Sequence, residues 1–407
     1  MHITTHHSKK FHEPWKKEKL GNLVEFKNGL NFRTGESGDE VLLVGVSEFK
    51  DSFILDENRL PMISVNSLPE DYLLQSGDFL FVRSNGNKEL IGRVLFAKNV
   101  TKKITFSGFT IRARNKSNVI LDEYCATFCS SPLVKKQFVT KGGGTNINNL
   151  NQQLLSDIEI LIPPIQEQRE ILRILNLWNK AIELKGKLIE QKKEQKKGLM
   201  QRLLTGKVRL PGFEGEWEKS KLGKHIKEWA DGGTPPKNKK EYFGGNINWV
   251  VIDDIQRYIY TTKETLTEEG LLKCSSKYWP EGTVILSTGA TIGLVGITKV
   301  KTATKQGITG IVTNNTLFNE YLRYWLLNNR ELLLRYAQGS SIKEIRTNTL
   351  SKMDILLPSL EEQIAISKVL ITFENQIELL ERELRELQLQ KKGLMQLLLT
   401  GKVRVKC

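Results

Sequence analysis

Cysteine, histidine and long apolar runs are what this sequence has least of. Its four cysteines are Cys125, Cys129, Cys274 and Cys407. They are too few and too scattered for a disulfide framework. Cys125 and Cys129 lie four apart in an expected helix with no histidine near them, so a zinc site is not expected. Four of the five histidines, His2, His6, His7 and His12, crowd a polar leader (residues 1–14) expected to be mobile. His225 stands alone and is expected on the surface of a helix, so no Ser-His-Asp set can be assembled. No apolar run is long enough to span a bilayer, and the N-terminal stretch lacks a signal peptide's apolar core. The expectation is a cytoplasmic chain with no membrane contact.

Nucleotide and methyl-donor motifs are missing too. No GxxxxGK[ST] occurs; Thr205-Gly206-Lys207 lacks the upstream glycine and the hydroxyl after the lysine. The Asp/Asn/Ser-Pro-Pro-Tyr/Phe of amino-methyltransferases is absent, since Ile162-Pro163-Pro164-Ile165 and Thr234-Pro235-Pro236-Lys237 share only the two prolines. The stretch from Gly289 to Gly296 lacks GxGxxG and reads as a tight loop between strands. Asp253-Asp254 reads as a pair of solvated turn acids, not a metal site. The expectation is a chain with no catalytic residue, no cofactor and no metal.

Positive charge, by contrast, is plentiful. Lys and Arg total 61 against 46 acids, a net charge of +15. The pI is about 9.4. That surplus favours a polyanion partner, DNA or RNA, over its plainer reading as a solubility charge. A length of 407 residues implies two or three domains.

The chain is organised around a sentence it repeats. Lys196 to Arg209 reads KKGLMQRLLTGKVR, and Lys391 to Arg404 reads KKGLMQLLLTGKVR, identical at thirteen of fourteen positions and offset by 195 residues. That period is too long for a solenoid unit and indicates a duplicated domain-plus-helix module. The start repeats as well: FHEPWKKEKLG ending at Gly21 is echoed by FEGEWEKSKLG ending at Gly223. Residues 15–162 read as a mixed domain, strands first and a helix late, with strand candidates at 41–46, 79–83, 91–97, 104–114 and 158–162 and a helix over 122–140 broken at Pro132. Residues 213–357 read the same way, with strands at 249–252, 283–287, 294–298 and 308–313 and a helix over 319–336. Residues 163–212 and 358–407 are long helices, each followed by a turn or tail.

Pro163 and Pro164 block helix upstream of the first long helix, and Gly206 closes it. A seven-residue apolar register runs through Leu175, Trp178, Ile182, Ile189 and Leu199, and a matching one through Leu370, Phe373, Ile377, Leu380, Leu384, Leu387 and Leu394. The first helix is lysine-rich and the second carries Glu374, Glu378, Glu381, Glu383 and Glu386, so the two are expected to pair with each other. The seam alone does not choose between parallel and antiparallel.

Pro163-Pro164-Ile165-Gln166-Glu167-Gln168 and Pro358-Ser359-Leu360-Glu361-Glu362-Gln363-Ile364, each opening a long helix that ends in GLMQ-LLTGK-R, resemble the specificity subunits of type I restriction-modification systems. The Trp-x4-Leu-Gly starts and Gly232-Gly233-Thr234-Pro235 are similar to the openings of that family's target recognition domains. The resemblance covers nearly the whole chain. Phe11-His12-Glu13-Pro14 echoes Pro211 to Gly215 only in part, a departure from the family pattern at the first domain's entry. The resemblance implies an α+β fold with two mixed target recognition domains and a pseudo-two-fold internal repeat, its two long helices pairing as an antiparallel coiled coil. It implies a non-catalytic subunit that reads a split site in double-stranded DNA. The partners implied are DNA methyltransferase (modification) subunits, two of them, and motor-nuclease (restriction) subunits.

Reading bases requires Arg, Asn and small residues on loops. In the first domain the candidates are Asn31, Arg33, Arg83, Ser84, Asn85, Asn87, Lys88 and Arg93; the plainer reading is a solvated hairpin loop. In the second they are Thr234, Lys237, Asn238, Lys239, Ser287, Thr288, Thr291, Lys305 and Gln306. The repeat further predicts a pseudo-cyclic chain, its last TGKVR beside Trp15, with both domains on one face and half-sites roughly 10 bp apart. The methyltransferase subunits are expected on the outer faces of the helices and on the repeated KKGLMQ-LLTGKVR segments. Two readings from other classes remain: a coiled-coil adaptor that binds only protein, and a stand-alone methyltransferase or nuclease.

Overall fold

The computed structural model describes residues 14–31, 38–49, 53–141, 149–289, 291–337 and 344–406. The chain divides into two compact units, residues 1–185 with 383–407, and residues 186–382. Each unit holds one mixed domain and a stretch of both long helices, Ile165–Leu203 and Leu360–Leu399.

In the first unit, Lys16–Lys19 lies antiparallel to Glu159–Ile162, so the domain's entry and exit are hydrogen-bonded together. A four-stranded antiparallel sheet runs Val24–Asn28, Thr110–Asn115, Phe79–Val82, Val94–Phe96. A three-stranded sheet runs Met62–Val65, Asp39–Val44, Ile104–Phe106, its last pair parallel. The run Phe79-Leu80-Phe81-Val82 is buried at every position because the strand is covered on both faces. Phe79 and Phe81 join the core under the helices Asp122–Cys129 and Pro132–Lys141, while Leu80 and Val82 join Val44, Ile104 and Phe106 on the other side. Pro132 marks the break between those helices, as the sequence predicts.

The second unit repeats this topology. Glu218–Lys221 pairs with Asp354–Leu357. The larger sheet runs Ile226–Asp231, Ile308–Thr313, Val284–Ser287, Val295–Thr298, with Tyr258–Ile259 added in parallel at the edge. The smaller runs Glu264–Leu266, Phe243–Val250, Thr302–Thr304, again parallel in its last pair. The expected helix over 319–336 is two helices, Asn319–Asn328 and Arg330–Tyr336.

Each repeated sequence feature has the same physical cause in both units. A Cβ on Gly21 would lie 2.7 Å from the Ser156 Cβ, and one on Gly223 would lie 2.9 Å from the Ser351 Cβ, so only glycine fits after Trp-x4-Leu. The Glu-Gln pair opening each long helix divides two tasks. Gln168 accepts from the Leu121 N–H at 2.8 Å and donates to the Val119 and Pro163 carbonyls. Gln363 accepts from the Phe318 N–H at 2.9 Å and donates to Thr316 and Pro358. Both glutamines thereby tie the start of the domain's helix to the start of the long helix. Glu167, buried in a helix's first turn, takes a bidentate grip from Arg404 at 2.6 Å and 2.6 Å and also accepts from the Trp15 indole N–H at 3.0 Å. Arg404 also lies 5.3 Å from the Trp15 ring. Glu362 is held by Arg209 at 2.6 Å and 2.7 Å, with Arg209 5.5 Å from the Trp217 ring. The last TGKVR therefore does lie beside Trp15, as the central copy lies beside Trp217.

The repeated LL of this motif is core. Leu398 and Leu399 join the first unit's main cluster, and Leu203 and Leu204 join the second's. Gly401 and Gly206, at φ of +67° and +68°, then turn the chain out of the helix.

The long helices pair within each unit. In the first, Lys185 meets Glu383 at 2.7 Å. In the second, Lys193 meets Glu381 at 3.0 Å and Lys196 meets Glu374, numbers rising on one helix and falling on the other, which makes the pair antiparallel. All twelve residues of the expected seam are buried or half-buried. Four of them face the domains: Leu175 and Leu394 pack with the first unit's core, and Leu370 and Leu199 with the second's.

Several polar residues lie deeper than their sequence suggests. His225 ends the short 3-10 turn Leu222–His225 and is buried, its Nδ1 2.7 Å from Thr316 Oγ1, with its pKa lowered by that burial. It is not a surface residue because its neighbour Leu222 anchors the turn in the core. Asp254 is likewise buried; its carboxylate accepts from the Val251 N–H at 2.9 Å and the Lys263 N–H at 3.1 Å. Glu374 is clamped by Arg323 at 3.1 Å and 3.2 Å, the Tyr324 hydroxyl at 2.8 Å, Arg257 at 3.2 Å and Lys196. The repeat offset places Asn179, which is exposed, at the corresponding position of the first helix.

Burial opposes ionisation of Glu374, but Arg323 and Lys196 outweigh it and hold the carboxyl at about 2. Glu374→Gln leaves Arg323 buried with only Glu320, 3.9 Å away, as countercharge and is expected to cost about 3–5 kcal/mol in urea unfolding. A carboxyl depressed in the folded state stabilises fully above its usual value of 4.5, and that contribution is lost as pH falls toward about 2. The gap between wild type and Glu374→Gln should therefore narrow over that window; a gap constant with pH would contradict the clamp. Leu203→Ala and Leu398→Ala should each cost about 2–5 kcal/mol, because the repeated leucines fill the cores.

Candidate nucleic-acid interface

The two domains share a backbone frame at the ends of their central strands. In the first, the Arg83 N–H donates to the Phe109 carbonyl at 2.7 Å, the Leu150 N–H to Arg83 at 2.8 Å, and the Gly92 N–H to Val82 at 2.9 Å. In the second, Thr288 donates to Gly307 at 2.8 Å, Ile345 to Thr288 at 3.0 Å, and Gly293 to Ser287 at 3.0 Å. These bonds make Arg83 the counterpart of Thr288 and Phe109 the counterpart of Gly307, and the stretch between Val82 and Gly92 is longer than that between Ser287 and Gly293.

The candidate residues are distributed unevenly on this frame. In the first domain, Asn31, Ser84 and Asn85 line an open cleft of about 950 Å³, with Ser107, Gly108 and Phe109 as its wall. The Arg83 guanidinium reaches the Gly108 carbonyl at 3.5 Å, which brings it to the same turn. Asn87 is exposed and caps the next 3-10 turn, accepting from the Glu89 N–H at 3.0 Å; Lys88 beside it is exposed. Arg93 donates to the Phe49 carbonyl at 3.2 Å, away from the cleft lining. Arg33 lies outside the described residues.

In the second domain Lys237, Asn238, Lys239, Thr291 and Gln306 are exposed, and Thr234 is half-buried. Lys239 pairs with Glu241 at 3.4 Å. Lys305 is drawn over the Trp249 ring, 5.1 Å from its centre. Ser287 and Thr288 are fully buried. The Ser287 hydroxyl donates to the Thr291 carbonyl and accepts from the Leu294 N–H, and Thr288 Oγ1 lies 3.1 Å from Thr309 Oγ1. Those two side chains serve the loop's own structure, and the exposed polar set is carried by 237–239, 291 and 306.

Sequence reasoning missed Phe109, which is 57% exposed. The available signal was Ser107-Gly108-Phe109 between two apolar strands, a turn whose aromatic has no strand position to fill. Among the described residues no group of three His, Cys, Asp or Glu side chains could hold a metal ion. Nor is any described helix long and apolar enough to cross a membrane.

Comparison with known proteins agrees with this geometry. A candidate type I restriction enzyme specificity subunit, MjaX of Methanocaldococcus jannaschii, is 27% identical over 416 residues, covering 97% of this chain and 95% of that protein. A chain from a structure of the type I R-M system, described for its complex assembly and conformational transition, superposes with a TM-score of 0.68 at 18% identity over 96% of this chain and 99% of that one. The HsdS subunit from Thermoanaerobacter tengcongensis superposes at 0.52 and 19% identity, over 96% and 98%. The family model described as the type I restriction modification DNA specificity domain matches twice, over residues 12–193 and 214–389. The chain thus belongs to the type I restriction-modification DNA specificity family, as a specificity subunit that recognises the DNA target and carries no catalysis of its own.

Proposed function

We propose that each domain reads one half of a split site in double-stranded DNA and that the two halves differ in sequence. The observation that carries this is the shared frame with unlike occupants: Arg83 against Thr288, Phe109 against Gly307, and a longer loop against a shorter one. The same pattern of backbone hydrogen bonds carries different side chains in the two domains, and base identity is read by side chains. The reading set is Asn31, Arg83, Ser84, Asn85, Asn87 and Lys88 in the first domain. In the second it is Thr234, Lys237, Asn238, Lys239, Thr291, Lys305 and Gln306. Arg33 and Arg93 complete the first domain's set. The net charge of +15 supplies the salt-dependent part of binding.

Residues 15–162 and 213–357 act as the two reading domains, and the helix pair sets the spacing between half-sites. The methyltransferase subunits, two of them, dock on the outer faces of the helices and on the exposed side of the repeated segment, where Lys197, Gln201, Arg202 and Lys207 are exposed. The motor-nuclease subunits join that assembly in the cytoplasm.

Exchange of residues 15–160 for those of another family member, followed by sequencing of methylated DNA, should change one half-site and leave the other intact. A change in both halves would sink the modular reading. Inserting four residues into both long helices should add ~6 Å, close to 2 bp of spacer; an unchanged spacer would remove the helix pair's role as ruler. A DNA affinity that does not fall as salt rises would instead favour a protein-only adaptor.

A further inference from the structure

The turn Ser107-Gly108-Phe109 has an occupant that the fold does not need. Its backbone is fixed from both sides, by the Gly108 N–H to the Leu30 carbonyl at 2.6 Å and by the Arg83 N–H to the Phe109 carbonyl at 2.7 Å. The second domain makes the corresponding bond from Thr288 to Gly307, at a φ of +82°, with no side chain at all. The hydrogen bond itself is therefore made without an aromatic, although Gly307 makes it from a φ that no described non-glycine residue adopts. Yet Phe109 stands 57% exposed at the rim of the cleft, where its ring is not covered by the domain's own cores.

Two other groups are gathered on the same turn. A Cβ on Gly108 would lie 2.1 Å from Asn31 Oδ1, so the glycine makes room for the Asn31 amide to lie against the backbone. The Arg83 guanidinium reaches the Gly108 carbonyl. One rigid turn thus presents a guanidinium, a carboxamide and an apolar ring together. In the major groove a guanidinium matches guanine and a carboxamide matches adenine. The one apolar group on any base edge there is the thymine methyl.

We infer that Phe109 is a specificity-determining residue that reads the 5-methyl group of a thymine in the half-site bound by the first domain. This rests on the DNA-reading function proposed above. It adds a base class and assigns it to one half-site, because Gly307 gives the second domain no equivalent ring. Phe109 acts by excluding water from the methyl group, and Arg83 and Asn31 fix the ring's register on neighbouring pairs.

The test uses the full chain assembled with its methyltransferase subunits, on the target defined by sequencing of methylated DNA. Each thymine of the first half-site is replaced singly by deoxyuridine, which removes only the methyl group, and affinity is measured by competition. Wild type should bind roughly three- to tenfold more weakly when one particular methyl is removed, the scale of a single buried methyl-sized group. Phe109→Ala should be weakened by a similar factor on the unmodified target and should lose nothing further on that deoxyuridine. Phe109→Leu should keep part of the methyl preference. Replacements in the other half-site should affect wild type and both variants alike. If wild type binds its target specifically but Phe109→Ala responds to every deoxyuridine as wild type does, the inference is overturned while the DNA-reading function stands. A first half-site with no thymine at all would also overturn it. Loss of sequence preference by wild type itself would instead bring down the underlying function.

Discussion

Each mixed domain depends on a buried carboxylate at the start of one long helix being gripped by an arginine at the end of the other. Glu167 with Arg404 and Trp15, and Glu362 with Arg209 and Trp217, are two copies of that junction. A carboxylate so deeply buried would be costly alone, and the bidentate guanidinium together with the aromatic face offsets that cost. The junction also places Leu398-Leu399 and Leu203-Leu204 into the domain cores just before the turn at Gly401 and Gly206. Neither domain is therefore closed by its own contiguous sequence. The first takes its last core residues from the chain's end, and the second takes them from the helix that precedes it.

That arrangement explains why one part of the repeat is nearly identical while the rest has drifted. KKGLMQ-LLTGKVR must satisfy a helix end, a core, a turn and an ion pair at once, and few substitutions meet all four. The ends of the central strands are held by backbone hydrogen bonds, from Gly92 to Val82 and from Gly293 to Ser287, which are indifferent to side chain. A chain that keeps the junction can vary the loops between those ends without rebuilding its fold.

Much of this was legible in the sequence. The doubled motif, the Trp-x4-Leu-Gly starts, the two long helices and their opposite charges all carry strong local signals, and the residues behave as those signals imply. Local signals fail where a residue's environment is made by distant chain. His225 and Asp254 read as surface polar groups because nothing nearby in sequence shows the core over one or the backbone N–H groups around the other. Glu374 reads as one more flank charge until Arg323 and Arg257, from elsewhere in the second domain, close around it. Ser287 and Thr288 have the composition of a reading loop, yet their hydroxyls are consumed inside it. Phe109 was overlooked for the opposite reason: an aromatic between strands resembles core until the turn is seen to leave it outside.

The central claim is that one scaffold, present twice, reads two different half-sites through its loops. Hydrogen exchange on the assembled complex tests it most directly, comparing the full target with a target in which one half-site is scrambled. Protection at 84–91 and 107–109, or else at 237–239 and 305–307, should be lost in one domain only, with the other domain unchanged. Loss of protection in both domains, or in neither, would contradict the account.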